Sequence, residues 1–515
     1  MMKVNFKSLI YTFSAMLVLS SLQSCYKDLS TEGGEEIPDI VISGLEPEAF
    51  VTYGQDVSFS VTVEQQGRDE SDFEYLWTMD LLPGQGKNRV EMGEGLSIDL
   101  KIAQTPSDIP YMLMFTATDK FTGLSRTEGC RIYVESSLGE GLLVAHTKDG
   151  GVTSEFDLLA QQSITYGYTS QAPRYTRGLY ALANGEPFPG RVQSVSESIV
   201  SEGAAYNVTR FMVGTQDHMY ALDPLSFKMS VQDGPLFNGI NESRIDTRML
   251  FNFGGYEAAA LINGSFYVCP TLFSSAYSKI PCAAGAVFTP ENLAYNPMRE
   301  DPGAEVFDSE TGNFYFLSGW NAFQSSFNKV SFNTGVNLVG AECLGAGAAN
   351  KGNCGFLLRD ASGQHHIFIN YGEESSTHYT LDGDGLDNVV SVAFCDNADV
   401  MYYTDGKDIY SVVMTGGRAI NNKLTWKPDS ADERVTKIIQ YRQAWYGLHD
   451  YSQNSYEFLL PMHRLQMVIV TYNEKTGEGR IYLRPFNVST GKFTFKDNGS
   501  YGGFGEITAI TTTLR

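Results

Sequence analysis

Paired histidines and clustered carboxylates bind metal ions and move protons, so chemistry in this chain would first be sought at His365-His366 and at Asp382-Gly383-Asp384-Gly385-Leu386-Asp387. The histidines sit in a strand-like run, where adjacent side chains point to opposite faces and cannot readily share one ion. One solvent-facing histidine is the expectation. The aspartate run has the outline of a calcium loop, but an EF-hand-like spacing wants an oxygen ligand where Leu386 stands and a closing glutamate that is missing. A turn accounts for it. Glu300-Asp301 and Glu373-Glu374 would suit general acid and base work, yet among 60 carboxylates such neighbours arise by chance and define no separation for glycoside hydrolysis. No G-x-S-x-G elbow, P-loop or H-E-x-x-H occurs. No catalytic residue, metal or cofactor is therefore assigned, and binding is favoured over catalysis.

Binding points to aromatics on loops. Trp320 and Phe323 directly follow a strand, and Trp445, Tyr446 and Tyr451 open a long interval between strands. Such rings stack on sugars or accept peptide side chains, although they also serve as caps on a β core. Seven cysteines are present. Cys269 with Cys282, and Cys343 with Cys354, are near enough in sequence to form loop disulfides in an oxidising compartment, whereas Cys130 and Cys395 lie in strand-like runs, where a buried thiol is as good a reading as a pairing. No C-x-x-C suggests zinc or a redox pair.

The seventh cysteine has a different setting. Lys3 and Lys7 precede an apolar run from Leu9 to Leu19, followed by Leu22-Gln23-Ser24-Cys25. That is a charged n-region, a short h-region and a small residue before a cleavage point, and the run falls well short of the roughly 20 residues that span a bilayer. Residues 1–24 are thus expected to be a removed signal. Leu22 to Cys25 resembles the lipobox of bacterial lipoproteins, which implies lipid on Cys25. Tyr26-Lys27-Asp28 with Glu32, Glu35 and Glu36 resembles the acidic export signal of Bacteroidota lipoproteins, which implies an outer-membrane anchor facing the cell exterior. Residues 25–37 then read as a flexible tether.

Composition bounds the class of the remaining chain. At 515 residues, 42% hydrophobic, it can bury more than one core. A net charge of -23 argues against nucleic acid and against docking on anionic lipid through a basic patch. Gly 51, Tyr 29 and Phe 31 favour strands joined by tight turns. An all-β fold is expected.

Over residues 38–136, runs such as Val57 to Val63 and Ile98 to Ile102 alternate apolar and polar between Gly or Asp turns. Tyr75-Leu76-Trp77 and the later Tyr111 to Asp119 resemble the Tyr-x-Trp and Tyr-x-x-x-Phe-x-Ala-x-Asp strands of a PKD-type immunoglobulin-like sandwich. The resemblance implies a core role for Trp77 and a turn closed by Asp119. Over residues 139–515 an apolar strand, a turn and an aromatic-rich strand recur seven times, at turns near Asp149, Asp217, Asn263, Thr311, Ser362, Asp405 and Thr476. The central spacings of about 43 to 51 residues suit one four-stranded propeller blade each, and the first and sixth intervals, near 70, must carry insertions. Glu506 to Leu514 looks like an inner blade strand and is expected to complete the first blade, closing a seven-bladed ring. A second large sandwich is the alternative.

Lipobox, PKD-like unit and repeat-rich β region together resemble the PKD-like surface lipoproteins of Bacteroidota. The resemblance implies partnership with SusC-like and SusD-like importer proteins and other surface lipoproteins, and an oligopeptide or glycan ligand. It would make the chain an accessory binding subunit of a TonB-dependent importer. A lipid-anchored hydrolase that processes polysaccharide or peptide before import is the alternative, and a structural spacer is a third reading.

Overall fold

A computed structural model describes residues 37–515 except 53–54, 85–87, 105–106, 136–138, 167, 202–206, 225, 241, 253–256, 271–273, 275, 283–284, 297–302, 319–324, 444–459, 495–498 and 514–515. The N-terminal signal, Cys25, most of the tether, Glu300-Asp301 and all five loop aromatics lie outside the described residues. The chain folds as two compact units that part between Val134 and Glu135.

The first unit is a sandwich of short strands. Its larger sheet runs in the order Glu48–Thr52, Ser125–Glu135, Ser107–Asp119, Phe73–Asp80, Arg89–Gly93. Asp56–Ser60 pairs separately with Ser97–Lys101, with Phe59 opposite Ile98. The alternation of apolar and polar residues buries Ile98 and Leu100 and leaves Asp99 outside. Trp77 is fully buried, its ring 4.8 Å from that of Phe115, and its indole N–H donates to the Gly95 carbonyl at 2.9 Å. Asp119 ends its strand by accepting bonds from the Phe121 and Thr122 amides and from Arg68. Burial alone would raise the pKa of this carboxyl, but those donors hold it down at about 2.

The second unit is a seven-bladed β-propeller. Six four-stranded meanders, the second to seventh blades, follow one another along the chain, and the first blade is built from both ends of the unit. There Glu506–Thr513 pairs antiparallel with Gly141–Thr147, from Thr513 opposite Gly141 to Glu506 opposite Thr147. The last strand is thus the innermost strand of the first blade, as its sequence suggested. The seven recurring hairpins are the two middle strands of each blade, for example Glu257–Ile262 with Ser265–Pro270.

Middle strands are apolar on both sides because each blade is covered on both faces. Leu143 and Ala145 face a cluster shared with Phe211 and Val213 of the second blade, while Leu142 and Val144 face one shared with Val468 and Ile481 of the seventh. Seven such clusters, one per blade interface, make up the core. Toward the axis the space narrows, and the inner strand Glu342–Ala349 answers with small residues. A Cβ on Gly345 would lie 2.5 Å from the Val392 Cβ of the next inner strand. In the long first interval Arg174–Thr176 is the outer strand of the first blade, and the added segment after it holds the helix Leu179–Asn184, which buries Leu179 and Tyr180.

The same two-sided burial corrects the histidine expectation. His365 and His366 do point to opposite faces, yet both are buried, since neither face of a middle strand meets solvent. His366 bonds His378 at 2.9 Å and Asp360 at 3.1 Å. The aspartate run forms a turn into a short 3-10 helix, Leu386–Asn388. The disulfide expectation is corrected as well: all four cysteines are free thiols. Cys269 belongs to the cluster between the second and third blades, whereas Cys282 lies against the one between the third and fourth. Cys343 and Cys354 occupy neighbouring strands out of register, opposite Leu358 and Ala348. Cys130 and Cys395 are buried thiols, one of the two readings open for them. Burial pushes the Cys269 thiol up to about 12. Unfolded protein should therefore titrate six thiols besides Cys25 with no reductant added, and half-buried Cys282 should react faster than the buried Cys130, Cys269, Cys354 and Cys395 in the native state. A count of four or two in a thiol-reagent assay would restore one or both disulfides.

Candidate functional site

Strand direction alternates within each blade, so every inner strand reaches the same end of the ring. At that end the inner strands frame an axial cavity of about 220 Å³. Its walls carry Glu197 from the second blade, Phe251 and Asn252 from the third, Tyr295 from the fourth, and Gln440 and Arg442 from the seventh. Among the described lining residues Arg442 is the one cation and Glu197 the one carboxylate.

Arg442 is fixed from behind. Asp396, its side chain fully buried just beyond the inner strand Ser391–Phe394, accepts from Arg442 Nε at 2.7 Å and from Arg464 Nε at 2.6 Å. Its amide N–H donates to Gln440 Oε1 at 3.0 Å, and its carbonyl accepts from Arg464 Nη2 at 2.6 Å. Burial works to raise the Asp396 pKa, but the two guanidiniums outweigh it and hold the carboxyl below its ordinary value. Arg464 has a φ of 61°, a left-handed conformation costly for a side-chain-bearing residue. Its amide bond to the Tyr441 carbonyl and its clasp on Asp396 hold it there. Burial, with the charges of Arg464 and Arg442, lowers the His463 pKa to about 4, so this ring is neutral near pH 7.

Across the axis, the rings of Phe251 and Tyr295 stack with centroids 3.8 Å apart. Burial raises the Tyr295 pKa, and the Arg442 charge offsets part of the rise. Gln443 sits at the rim, donating to Glu140 Oε1 at 2.6 Å and accepting from the Leu460 amide at 3.0 Å. The chain carrying Trp445, Tyr446 and Tyr451 therefore leaves and re-enters the described structure at the cavity rim. The one carrying Trp320 and Phe323 leaves after Ser318, the end of a third strand, on the same face of the ring.

A second concavity, of about 850 Å³, lies between the outer parts of the sixth and seventh blades and carries Lys423, Lys427, Arg484 and Lys492. Two of those charges are already committed. Lys423 pairs with Asp408 at 2.6 Å, and Arg484 Nη1 donates to the Leu483 and Gly499 carbonyls. Glu373 serves as a backbone acceptor for Ser331. No three His, Cys, Asp or Glu side chains converge as a metal would require, among the described residues. No helix among them is long and apolar enough to cross a membrane.

Sequence reasoning found none of Asp396, Arg442 and Arg464. They stand 46 and 68 positions apart, and Cys395-Asp396 reads as an ordinary strand end. A signal was present only in the arginines that bracket the long seventh-blade insertion.

Fold and cavity define a class: a sandwich followed by a seven-bladed propeller with an axial, arginine-bearing recess. The model of the PKD-like family matches residues 25–191, so the N-terminal sandwich is PKD-like. No curated protein matches the chain in sequence. Among solved structures, a quinoprotein alcohol dehydrogenase-like protein from Bacteroides thetaiotaomicron aligns with 93% of this chain and 100% of its own at 10% identity and a TM-score of 0.46. AztD from Citrobacter koseri aligns with 86% of this chain and 98% of its own at 10% identity and a TM-score of 0.37. The WD40 domain of SCAP from fission yeast aligns with 62% and 74% at 9% identity and a TM-score of 0.32.

Proposed function

We propose that the protein is a surface lipoprotein, anchored in the outer membrane through Cys25, that serves as an accessory binding subunit of a SusCD-type importer. The axial cavity would receive part of an oligopeptide or glycan. One observation carries the binding reading: the recess joins a stacked aromatic pair to amide and guanidinium donors, with a single carboxylate on its described walls. Glycoside hydrolysis in its usual form needs two carboxylates about 5 to 9.5 Å apart. The anchor reading rests on the lipobox-like Leu22 to Cys25, and the partnership on the resemblance of the chain's layout to the PKD-like surface lipoproteins.

The test is affinity capture of the tagged full-length protein from solubilised outer membranes of its host. Co-purification of a TonB-dependent channel and a SusD-like lipoprotein is expected, and recovery without any channel-type chain would sink the importer reading. Cys25→Ser should shift the protein from the membrane to the soluble fraction. Release of small products from mixed peptides or glycans by the purified protein would favour the hydrolase instead.

A further inference from the structure

We infer that the axial cavity recognises a carboxylate on its ligand, received by the terminal guanidinium nitrogens of Arg442. This rests on the reading of the cavity as a ligand site and names the chemistry it selects.

Three features lead there. Arg442 gives its Nε edge to Asp396 at 2.7 Å, and its Nη2 makes only a long contact, 3.5 Å, to Gln440 Oε1. The outer edge of the fork is left toward the cavity, and that edge is the part of arginine that matches a carboxylate with two parallel bonds. The second feature is charge. The guanidiniums of Arg442 and Arg464 share the one Asp396 carboxylate, so Asp396 answers only part of the Arg442 charge, and Glu197 stands on the same cavity wall. An arginine remains protonated at any physiological pH, and the attraction strengthens where walls exclude water. Asp396 therefore acts as a positioning residue: it orients Arg442 without cancelling both charges.

Size is the third feature. At about 220 Å³ the recess is smaller than the roughly 300 to 1,000 Å³ of pockets that enclose a whole small ligand. It fits an end group, with the rest of the chain outside. The side of Tyr295 turned away from Phe251 would line the carbon skeleton next to the carboxylate, and Asn252 brings an amide to the same space, whereas the Gln440 amide is held by Asp396, Asn397 and Arg464. A peptide's C-terminal residue and a terminal uronic acid both meet this description, since each carries a carboxylate on a compact, partly apolar unit.

Titration calorimetry on the detergent-solubilised mature protein, with tetraalanine, tetraalanine amide and tetragalacturonate as probes, separates the outcomes. A charge-assisted bond contributes about 1.5 to 3 kcal/mol, so at least one acid probe should bind roughly 10-fold to 100-fold more tightly than the amide. The tighter acid identifies the source of the carboxylate. Arg442→Gln should erase the preference for acid over amide, with Arg442→Lys retaining part of it. Because the comparison of acid with amide uses the unaltered protein, it stands even if a variant folds poorly. Equal binding of tetraalanine and its amide, with no binding of tetragalacturonate, would overturn the carboxylate assignment while leaving the binding role in place. Binding of none of the three would overturn the assignment too, and the capture experiment would then judge the importer role by itself.

Discussion

Ending the chain after Gly505 should abolish the propeller's cooperative unfolding transition and send the protein to inclusion bodies, whereas removing only Leu514 and Arg515 should be tolerated. Glu506–Thr513 is the sole inner strand of the first blade. It satisfies the edge of Gly141–Thr147 along its whole length and lies beside the inner strand Val192–Ser201. Ala509 enters the cluster between the first and second blades, and Ile507 and Ile510 pack on the one between the seventh and first. The seam is closely built: a Cβ on Gly505 would fall 2.1 Å from the Thr147 carbonyl oxygen, and the Gly505 amide donates to His146 Nδ1. Without the strand, two core clusters open to water and a long edge is left unpaired, a template for aggregation. A point change at the seam should behave quite differently. Arg191 pairs with Glu506 through two bonds of 2.9 and 2.7 Å, but both side chains are over a third exposed, so Arg191→Ala should cost less than about 1 kcal/mol. Solubility, circular dichroism and thermal melts of the three forms would decide this. A soluble, cooperatively melting truncation would show that the ring does not depend on its closing strand.

The second large effect is expected at Asp396. Asp396→Ala strands two arginines beside a buried site and removes an acceptor from each. Breaking a buried pair of this kind costs about 3 to 5 kcal/mol, and the partial exposure of both arginine side chains points to the lower end of that range. Asp396→Asn keeps the shape and one acceptor while removing the charge, so it should cost less. The depressed pKa sets the pH dependence. A carboxyl whose folded pKa lies below its unfolded value, about 3.9, contributes its full stability above that value and loses it as pH falls through the folded pKa. The stability gap between the native protein and Asp396→Asn should thus be flat from neutrality to roughly pH 5 and should shrink at lower pH. Urea titrations at a series of pH values would show it. A gap that widens on acidification would mean that the Asp396 pKa is raised, and that the guanidiniums do not govern it.

These two sites were legible in the sequence to very different degrees. Glu506 to Leu514 announced itself, because a strand that must pair along its length and bury Ala509 carries a pattern along its own residues. The middle hairpins were plainer still: strands covered on both faces are continuous apolar runs such as Glu257–Ile262, and their turns recur at blade spacing. Outer strands like Met229–Gln232, half exposed and only a few residues long, left little trace. Trp77 and Asp119 could be assigned to core and turn through the resemblance of their strands to the PKD-type pattern.

The sequence by itself determined the all-β class, the number of blades and the strand that closes the ring, since each is written in periodicity along the chain, and its resemblance to the PKD-type pattern implied the sandwich. Only the tertiary structure decided that His365 and His366 are both buried and that the cysteines of each expected pair lie apart. It alone gathered Asp396, Arg442 and Arg464 behind one cavity wall. Closing the ring brings the ends of seven distant strands to one axis, and no pattern along a chain encodes which polar residues that closure places side by side.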